Sequence, residues 1–291
     1  RTAELLGFGS VVENSMDAVS TRDFLVESTA ALATLAATLS GLAEDMVVYS
    51  GRGYAEISDD YASTSSIMPQ KKNPDTLELV RATAGEATGA LQGLLTTLTG
   101  LPRSYNIDLQ EATPHAWTAV DAVPEALEVA TGAVATAEWD ERTLADEAAA
   151  GFSTATGVAD RLATAGIPFR TAHEVVARAA RSAANASGAA SEAAERPDGD
   201  PDVAALEAAA EEVLGDSLTA YVDRETLAAT LDPAESVAMR DSRGGPAPEA
   251  VAASVDRGRE RLTEDRAAIA ERRDAVETAE DALAAEVASH G

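Results

Sequence analysis

A short segment of the chain concentrates side chains that can bind and activate an anionic substrate. Residues 63–73 read STSSIMPQKKN and so combine hydroxyl, ammonium and amide groups. The segment precedes a predicted long helix, whose first N–H groups and dipole attract anions, and Lys71 adds a full positive charge. These residues indicate a site for a carboxylate or a phosphate. From composition alone, a solvated flexible linker is an equally good interpretation.

The chain's use of cations favours the binding site. Its 22 basic residues include only two lysines, Lys71 and Lys72, and both fall in this segment. An ammonium is a compact point charge that the broad, planar guanidinium does not reproduce. Lysines that are retained only here therefore indicate a function.

The acidic balance of the chain excludes several classes of partner. The 291 residues carry 50 Asp and Glu against 22 Lys and Arg, a net charge of −28. Nucleic acids and anionic membrane surfaces require clustered basic residues, so we expect neither as a partner. No apolar run approaches the roughly 20 residues of a membrane span. The lack of cysteine excludes disulfides and thiolate metal sites, and it fits a cytoplasmic protein.

Apolar spacing predicts long helices that position the segment. The first begins at a capping box that starts at Ser20, and its leucines recur at spacings of three, four and seven up to Met46. The second opens at Asn73-Pro74-Asp75, and a third starts at Pro114. Sustained alternation of apolar and polar residues is absent, so we expect an all-α fold, a long-helix bundle followed by a small helical domain.

The character of the sequence changes along the chain. We expect a central long-helix bundle over residues 1–138, with the polar loop at 58–73, and a C-terminal helical domain over 139–291. The second domain contains a Gly- and Ala-rich loop at 185–202 and a terminal helix from about residue 247. One apolar residue recurs every seven positions in that helix, and we expect this narrow stripe to dock on the rest of the chain. Its members are Val255, Leu262, Ile269, Val276 and Leu283.

The polar segment resembles the signature of the fumarase/aspartase superfamily of lyases. The matching residues are SSIMPQKKNP at 65–74, with Glu78 one turn later. Within that superfamily, the chain resembles the argininosuccinate lyase family through NSMDAVSTRDF at 14–24 and LPRSYNIDLQE at 101–111. The short-helix region at 159–180 is also similar to that family's C-terminal domain.

The resemblance implies a fold, a reaction and an assembly. The superfamily builds homotetramers from long helices, and each active site draws on several subunits. The implied reaction is a β-elimination that cleaves argininosuccinate to arginine and fumarate, without a metal or an organic cofactor. Such a reaction needs a base for the carbon-bound proton and fixed positive charge on the adjacent carboxylate.

The resemblance also assigns roles to individual residues. It implies that Ser65 handles the carbon-bound proton, that Lys71 and Asn73 hold the carboxylate, and that Glu78 orients the histidine that acts as the acid. Further substrate contacts are implied for Ser66, Met68, Tyr105 and Gln110.

Two departures from the family pattern bear on this interpretation. The family's acid histidine lies in a Thr-His motif, whereas the histidines of this chain, His115, His173 and His290, follow Pro, Ala and Ser. We therefore expect that the chain lacks the family's N-terminal domain and is inactive alone. The family usually has a substrate-binding lysine three residues after the glutamine, and this chain has Thr113 at that position. Arg103 or Arg22 could supply the positive charge that is missing there.

Other functions fit parts of the same pattern. A different superfamily lyase, adenylosuccinate lyase or fumarase, would share the signature segment. A non-catalytic structural relative would share the helical bundle, although intact catalytic residues argue against it.

The acid-rich, lysine-poor surface predicts adaptation to concentrated salt. Repulsion among surface carboxylates is screened within about 3 Å at 1 M salt but acts over about 30 Å at 0.01 M. We expect the chain to lose helical circular dichroism when it is diluted from molar to millimolar KCl. A thermal melt that is independent of salt would contradict this adaptation.

Overall fold

Twelve α-helices and four two-residue strands make up the described part of the chain in a computed structural model. The structure describes residues 1–68, 70–186 and 201–290. The helices are α1 (Thr2–Leu5), α2 (Ser15–Ser20), α3 (Asp23–Gly51), α4 (Asp75–Leu98), α5 (Leu109–Ala135), α6 (Glu141–Ala149), α7 (Ala155–Thr164), α8 (Phe169–Ala186), α9 (Val203–Leu214), α10 (Arg224–Leu231), α11 (Pro233–Ala238) and α12 (Pro248–Ser289). The strands are β1 (Ala55–Glu56), β2 (Ser63–Thr64), β3 (Lys72–Asn73) and β4 (Glu138–Trp139). The all-α prediction is confirmed.

The contacts divide the chain into two units. One unit is Phe8–Thr143, and the other combines Arg1–Gly7 with Leu144–Gly291. The division at residue 143 lies a few residues beyond position 138, where the sequence pattern changes.

A three-helix bundle forms the core of the first unit. Helices α3, α4 and α5 each pack on the other two. Their shared core combines large side chains of α3 and α4, such as Met46 and Leu77, with small ones of α5, such as Ala130. Alanines at the contact allow the helices to approach closely, so that long apolar seams are buried by a small number of elements.

The bundle is antiparallel, which gives it two distinct ends. Arg81, early in α4, forms an ion pair with Glu44, late in α3. At the same end, Gly132 of α5 leaves room for the Tyr61 side chain. We call this the loop end, since it carries residues 52–74. The opposite end carries residues 8–22 and 99–108, and α4, with 24 residues, spans about 36 Å between them.

The predicted start of the first long helix is wrong. Residues 15–20 form the separate helix α2, in which the Asn14 side chain accepts hydrogen bonds from the N–H groups of Met16 and Asp17. Thr21 is extended, and α3 begins at Asp23. The Ser20 hydroxyl instead donates to carbonyl oxygens within α2, so it does not cap α3.

The predicted starts of the next two helices are also wrong. Asn73 lies in β3, where its backbone pairs with Ser63, and α4 begins at Asp75. Helix α5 begins at Leu109 and contains Pro114, because hydrogen bonds to the carbonyls of residues 106–108 start the helix earlier. A proline near a helix start is tolerated, at the loss of one helical hydrogen bond.

Helix α3 corrects one expectation from composition. By length and hydropathy alone it could cross a membrane, although the sequence was expected to contain no such segment. It buries Leu39, Ala43 and Met46 in the bundle, as a core helix of a globular unit does. Packing against α4 and α5 accounts for the apolar residues on that face of the helix.

The second unit has its own core, built by short helices. Helices α7, α8, α9 and α10 surround a cluster of fully buried aliphatic residues, which includes Leu162, Val175, Leu206 and Leu227. Helix α8 extends to Ala186, so the first residues of the loop predicted at 185–202 are helical. Residues 187–200 of that prediction lie outside the described residues.

The terminal helix does not dock by its apolar stripe. Helix α12 has 42 residues and buries none of them. The stripe residues are between 36% and 58% exposed among the described residues. The docking expectation is therefore wrong within this chain. The described contacts of α12 involve residues 1–7, including an ion pair of 2.9 Å between Arg1 and Glu286.

A row of glycines lies along α4. Gly85, Gly89 and Gly93 recur every four residues, a spacing that predicts the close approach of another helix. At Gly93 this occurs: an added Cβ would lie 2.5 Å from the ring of His115 in α5. At Gly85 and Gly89 an added Cβ would meet nothing within 4 Å among the described residues.

We expect Gly93→Ala to lower the free energy of unfolding by about 1–3 kcal/mol, because it overpacks the contact with His115. The matched change Gly89→Ala should raise it by up to about 1 kcal/mol, because alanine favours the helix. Denaturant unfolding in molar KCl measures both. Combining Gly93→Ala with His115→Ala should remove the overpacking; equal losses for both single glycine variants would contradict this assignment.

Candidate active site

A two-residue hairpin presents the signature segment at the loop end of the bundle. Strands β2 and β3 pair antiparallel, with Ser63 opposite Asn73 and Thr64 opposite Lys72. The N–H of Ser65 donates to the carbonyl of Lys71 at 2.9 Å, which closes the loop between the strands. Within it, the N–H of Lys71 donates to the carbonyl of Met68 at 2.9 Å. The predicted polar loop is thus a closed loop on a short hairpin.

The hydroxyl of Ser65 lies in an environment that favours negative charge. Its Oγ accepts hydrogen bonds from the backbone N–H groups of Ile67 at 3.3 Å and Met68 at 3.2 Å. Backbone N–H dipoles that converge on one oxygen stabilise an oxyanion there. The side chain is half-buried, whereas its neighbours Ser66, Ile67 and Met68 are exposed.

The two lysines of the segment have different environments. Lys72 forms ion pairs with Asp59 at 2.6 Å and Glu56 at 3.2 Å. The hydrogen bond to Asp59 raises the pKa of Lys72 above its usual value, so Lys72 stays charged at neutral pH and ties the hairpin to the preceding turn. Lys71 is exposed, and no described side chain pairs with its ammonium. Its charge is therefore available to an anionic ligand.

The base of the hairpin is fixed to the bundle. The Ser63 hydroxyl donates to the carboxylate of Asp75, at the start of α4. The Thr76 hydroxyl donates to the carbonyl of Tyr61 at 2.5 Å. Asp75 and Glu78 are acidic residues in the first turn of α4. The N-terminus of α4, which we expect to attract anions, thus carries two carboxylates of its own.

The other predicted substrate contacts lie at the opposite end of the bundle. The side-chain amide of Gln110 donates to the hydroxyl of Tyr105 at 2.8 Å. Nearby, Arg103 forms an ion pair with Asp17 at 3.0 Å, and the N–H of Ser104 donates to the carbonyl of Met16 at 3.2 Å. These bonds join the two other family-like segments, 14–24 and 101–111.

The two residues suggested as replacements for the missing lysine are already engaged. Arg103 is paired with Asp17, and the guanidinium of Arg22 donates to the carbonyls of Val19 and Thr21. Thr113 lies in α5 just beyond Gln110, at the same end of the bundle.

The predicted site residues thus form two groups within the chain. The loop end gathers Ser65, Ser66, Met68, Lys71, Asn73 and Glu78. The opposite end holds Tyr105 and Gln110, and α4 separates the groups by about 36 Å. A single chain therefore cannot place both groups on one small substrate.

The histidines of the chain have local partners. His115 packs against Gly93, roughly 27 Å along α4 from its first residue. The ring of His173 lies 6.4 Å from that of Phe169. The Nδ1 atom of His290 is 3.0 Å from the carbonyl of Glu286. His115, the one histidine in residues 8–143, is thus too distant to exchange a proton with Ser65.

Sequence reasoning missed the residues that hold the segment in place. Ser63, Asp75, Glu56 and Asp59 fix the hairpin, and their roles depend on contacts between turns that are far apart in the sequence. The one feature of the sequence that pointed to these contacts was the second lysine, Lys72, which forms the ion pairs with Glu56 and Asp59. Within the described ranges, no group of three or more acidic or histidine side chains could hold a metal ion.

Two family models match separate parts of the chain. The model described as lyase matches residues 1–89, which include the signature segment. The model described as argininosuccinate lyase C-terminal matches residues 152–238, which form much of the second unit.

Similar proteins come from halophilic archaea. The argininosuccinate lyase of Haloarcula marismortui is 61% identical over 288 residues, which cover 99% of this chain and 55% of that protein. The argininosuccinate lyase of Natronomonas pharaonis is 60% identical over 281 residues, which cover 97% of this chain and 54% of that protein. The chain thus spans about half the length of the curated relatives it matches.

A solved structure shares the fold. An EDDS lyase variant with bound fumarate superimposes with a TM-score of 0.83 at 31% sequence identity. The match covers 98% of this chain and 55% of that chain.

We expect Lys72→Met to loosen the hairpin, because it removes both ion pairs to the preceding turn. Amide hydrogen exchange in residues 63–73 should become about two- to fivefold faster, in line with the modest strength of exposed ion pairs. The bundle helices should exchange as before. Lys71→Met is the matched control and should leave this exchange unchanged; equal acceleration by both variants would contradict the structural role of Lys72.

Proposed function

The chain belongs to the argininosuccinate lyase family, and on that premise we propose that it carries the elimination loop of an enzyme that cleaves argininosuccinate to arginine and fumarate. One observation supports this most directly. The Ser65 Oγ accepts hydrogen bonds from two backbone N–H groups in the same loop as the exposed ammonium of Lys71. An oxygen base that is stabilised as an anion, with a cation nearby, can remove a proton from a carbon that is bonded to a carboxylate.

The proposed reaction uses the loop as follows. The Ser65 oxygen, as alkoxide, takes the proton from the carbon next to a substrate carboxylate. The electron pair of that C–H bond moves first toward the carboxylate, which becomes doubly negative, and Lys71 and Asn73 stabilise it. The electrons then form the double bond of fumarate as the adjacent C–N bond breaks. The departing nitrogen of arginine takes a proton from an acid.

The proton donor comes from outside this chain in our proposal. His115 is held against Gly93 at a distance from the loop, and His173 and His290 have partners in the second unit. In this proposal Glu78, which is exposed in the first turn of α4, orients the incoming histidine. The chain spans about half the length of its relatives, so the complete reaction is proposed for the assembled enzyme and not for these residues alone.

We further propose that subunits share each active site in a homotetramer. Tyr105 and Gln110 can contact a substrate bound near Ser65 only if they come from another copy, because α4 separates them within one chain. The bundle also exposes large apolar side chains that another copy could cover. These include Phe24, Leu79, Leu95, Trp117 and Leu127. The reaction uses no metal or cofactor in this scheme, and the absence of cysteine fits a cytoplasmic location.

The second candidate function is the lyase reaction of another member of the superfamily. Thr113 stands where a substrate-binding lysine is usual, and its neutral side chain changes the charge that a substrate meets. Adenylosuccinate and malate are the corresponding substrates of adenylosuccinate lyase and fumarase. A non-catalytic structural role is the remaining alternative.

A chimaera tests the proposal. We would replace the matched segment of the Haloarcula marismortui enzyme with this chain, which is 61% identical to it over 288 residues. In molar KCl, fumarate absorbance should rise with argininosuccinate and stay flat with adenylosuccinate. Turnover of adenylosuccinate alone would overturn the choice of substrate, and a folded chimaera inactive with every superfamily substrate would favour the structural alternative.

Ser65→Ala in that chimaera should lower turnover by several orders of magnitude, because the reaction loses its base. Circular dichroism should be unchanged. Ser28→Ala is a matched control, since Ser28 is exposed on α3 and its hydroxyl donates to the carbonyl of Phe24. A rate near that of the unmodified chimaera would remove Ser65 from the mechanism.

A further inference from the structure

Helix α12 presents an apolar face that the described chain leaves open. Its 42 residues span about 63 Å, and no side chain on it is buried. Strict seven-residue spacing keeps the stripe on one face and is typical of helices that supercoil around a partner. Residues 1–7 lie beside the stripe near Ala279 and Glu286, and Leu283 still remains 36% exposed.

The exposed apolar residues of α12 are distributed symmetrically about Ile269. Leu262 and Val276 lie seven residues before and after it, and Val255 and Leu283 lie fourteen before and after. Val251 and Val287, which are 47% and 66% exposed, lie eighteen before and after. If a second copy of the helix runs in the opposite direction with Ile269 opposite Ile269, each of these apolar residues therefore lies opposite another apolar residue of the second copy.

Charge is distributed asymmetrically along the same helix. All six arginines of α12 lie within residues 257–273, where four acidic residues accompany them. Residues 274–289 contain five acidic residues and no basic ones. In a chain of net charge −28, a segment of α12 with two more arginines than acidic residues is thus followed by a purely acidic segment. Two parallel copies would bring the two purely acidic segments together. Two antiparallel copies instead place each acidic segment beside residues 249–264 of the other copy, which contain three arginines and four acidic residues.

We propose that α12 pairs antiparallel with α12 of a second copy of this chain, with Ile269 at the centre of the pair. The proposal is independent of the elimination reaction, because it rests on residues of the second unit alone. Salts that strengthen the burial of apolar surface would favour the seam in a concentrated-salt environment.

Individual charges favour the same orientation. Residues three or four positions from a stripe residue flank the seam. In the antiparallel pair, Asp265 lies within one residue of the level of Arg272 of the second copy along one edge, and Arg259 lies within one residue of the level of Glu280 along the other. Each pair occurs twice by symmetry. One like-charged pair, Arg266 with Arg273, accompanies them.

The parallel pair has a weaker set of charges. Asp265 lies beside Arg266 of the second copy, but Arg272 lies beside Arg273. One favourable pair is therefore offset by one unfavourable pair. Only the antiparallel arrangement has more opposite-charge pairs than like-charge pairs along the seam. Concentrated salt screens such close pairs less than it screens charges farther apart.

Single cysteines test the orientation, since the natural chain contains none. We would prepare the full chain in molar KCl with Ile269→Cys, Leu262→Cys or Val276→Cys, and oxidise each alone and in mixtures. Ala267→Cys, exposed on the far side of the helix, is the matched control. Circular dichroism would verify that each variant keeps its helical content. A disulfide forms only when the two Cα atoms lie within about 7 Å.

The antiparallel pair makes a specific prediction. Ile269→Cys should cross-link to itself, at least about tenfold more than Ala267→Cys. Leu262→Cys should cross-link with mass-tagged Val276→Cys and not with itself, because the like positions would be about 21 Å apart. Self-cross-linking of Leu262→Cys would overturn the antiparallel orientation. Absence of any cross-link, or equal yields at Ala267, would show that a second copy of α12 does not occupy this face.

Discussion

Antiparallel packing of three long helices is the constraint on which the rest of the first unit depends. Alanines of α5 pack against larger residues of α3 and α4 along most of the length of the three helices. The bundle is therefore long and narrow. Each family-like segment must then lie at one end or the other. The loop of residues 63–73 is consequently about 36 Å from Tyr105 and Gln110, and the same narrow bundle leaves large apolar side chains exposed.

Much of this organisation could be predicted from the sequence, because long helices leave a clear apolar period. The helix starts were predicted poorly. Ser20 and Asn73 are good capping residues by type, but other hydrogen bonds engage both, Ser20 within α2 and Asn73 in the hairpin. Strands of two residues are too short to show alternation, so the hairpin itself left no periodic signal.

The sequence predicts which residues belong to the candidate site, but it does not predict their contacts or the distances between them. The rarity of lysine identifies the segment, but it cannot distinguish Lys71 from Lys72. That distinction depends on Glu56 and Asp59, which the fold brings to Lys72 from the preceding turn. The distance between the two groups of site residues likewise follows from the direction of each helix, which a motif does not encode.

The different environments of the two lysines have a practical consequence for chemical labelling. Apart from the amino terminus, the chain offers an acylating reagent only two primary amines, at Lys71 and Lys72. Lys72 is held by two carboxylates, while the ammonium of Lys71 is exposed, so a reagent should reach Lys71 first. The natural sequence therefore provides one reporter position within the loop, where a fluorophore or an isotopic methyl group could follow ligand binding without any substitution.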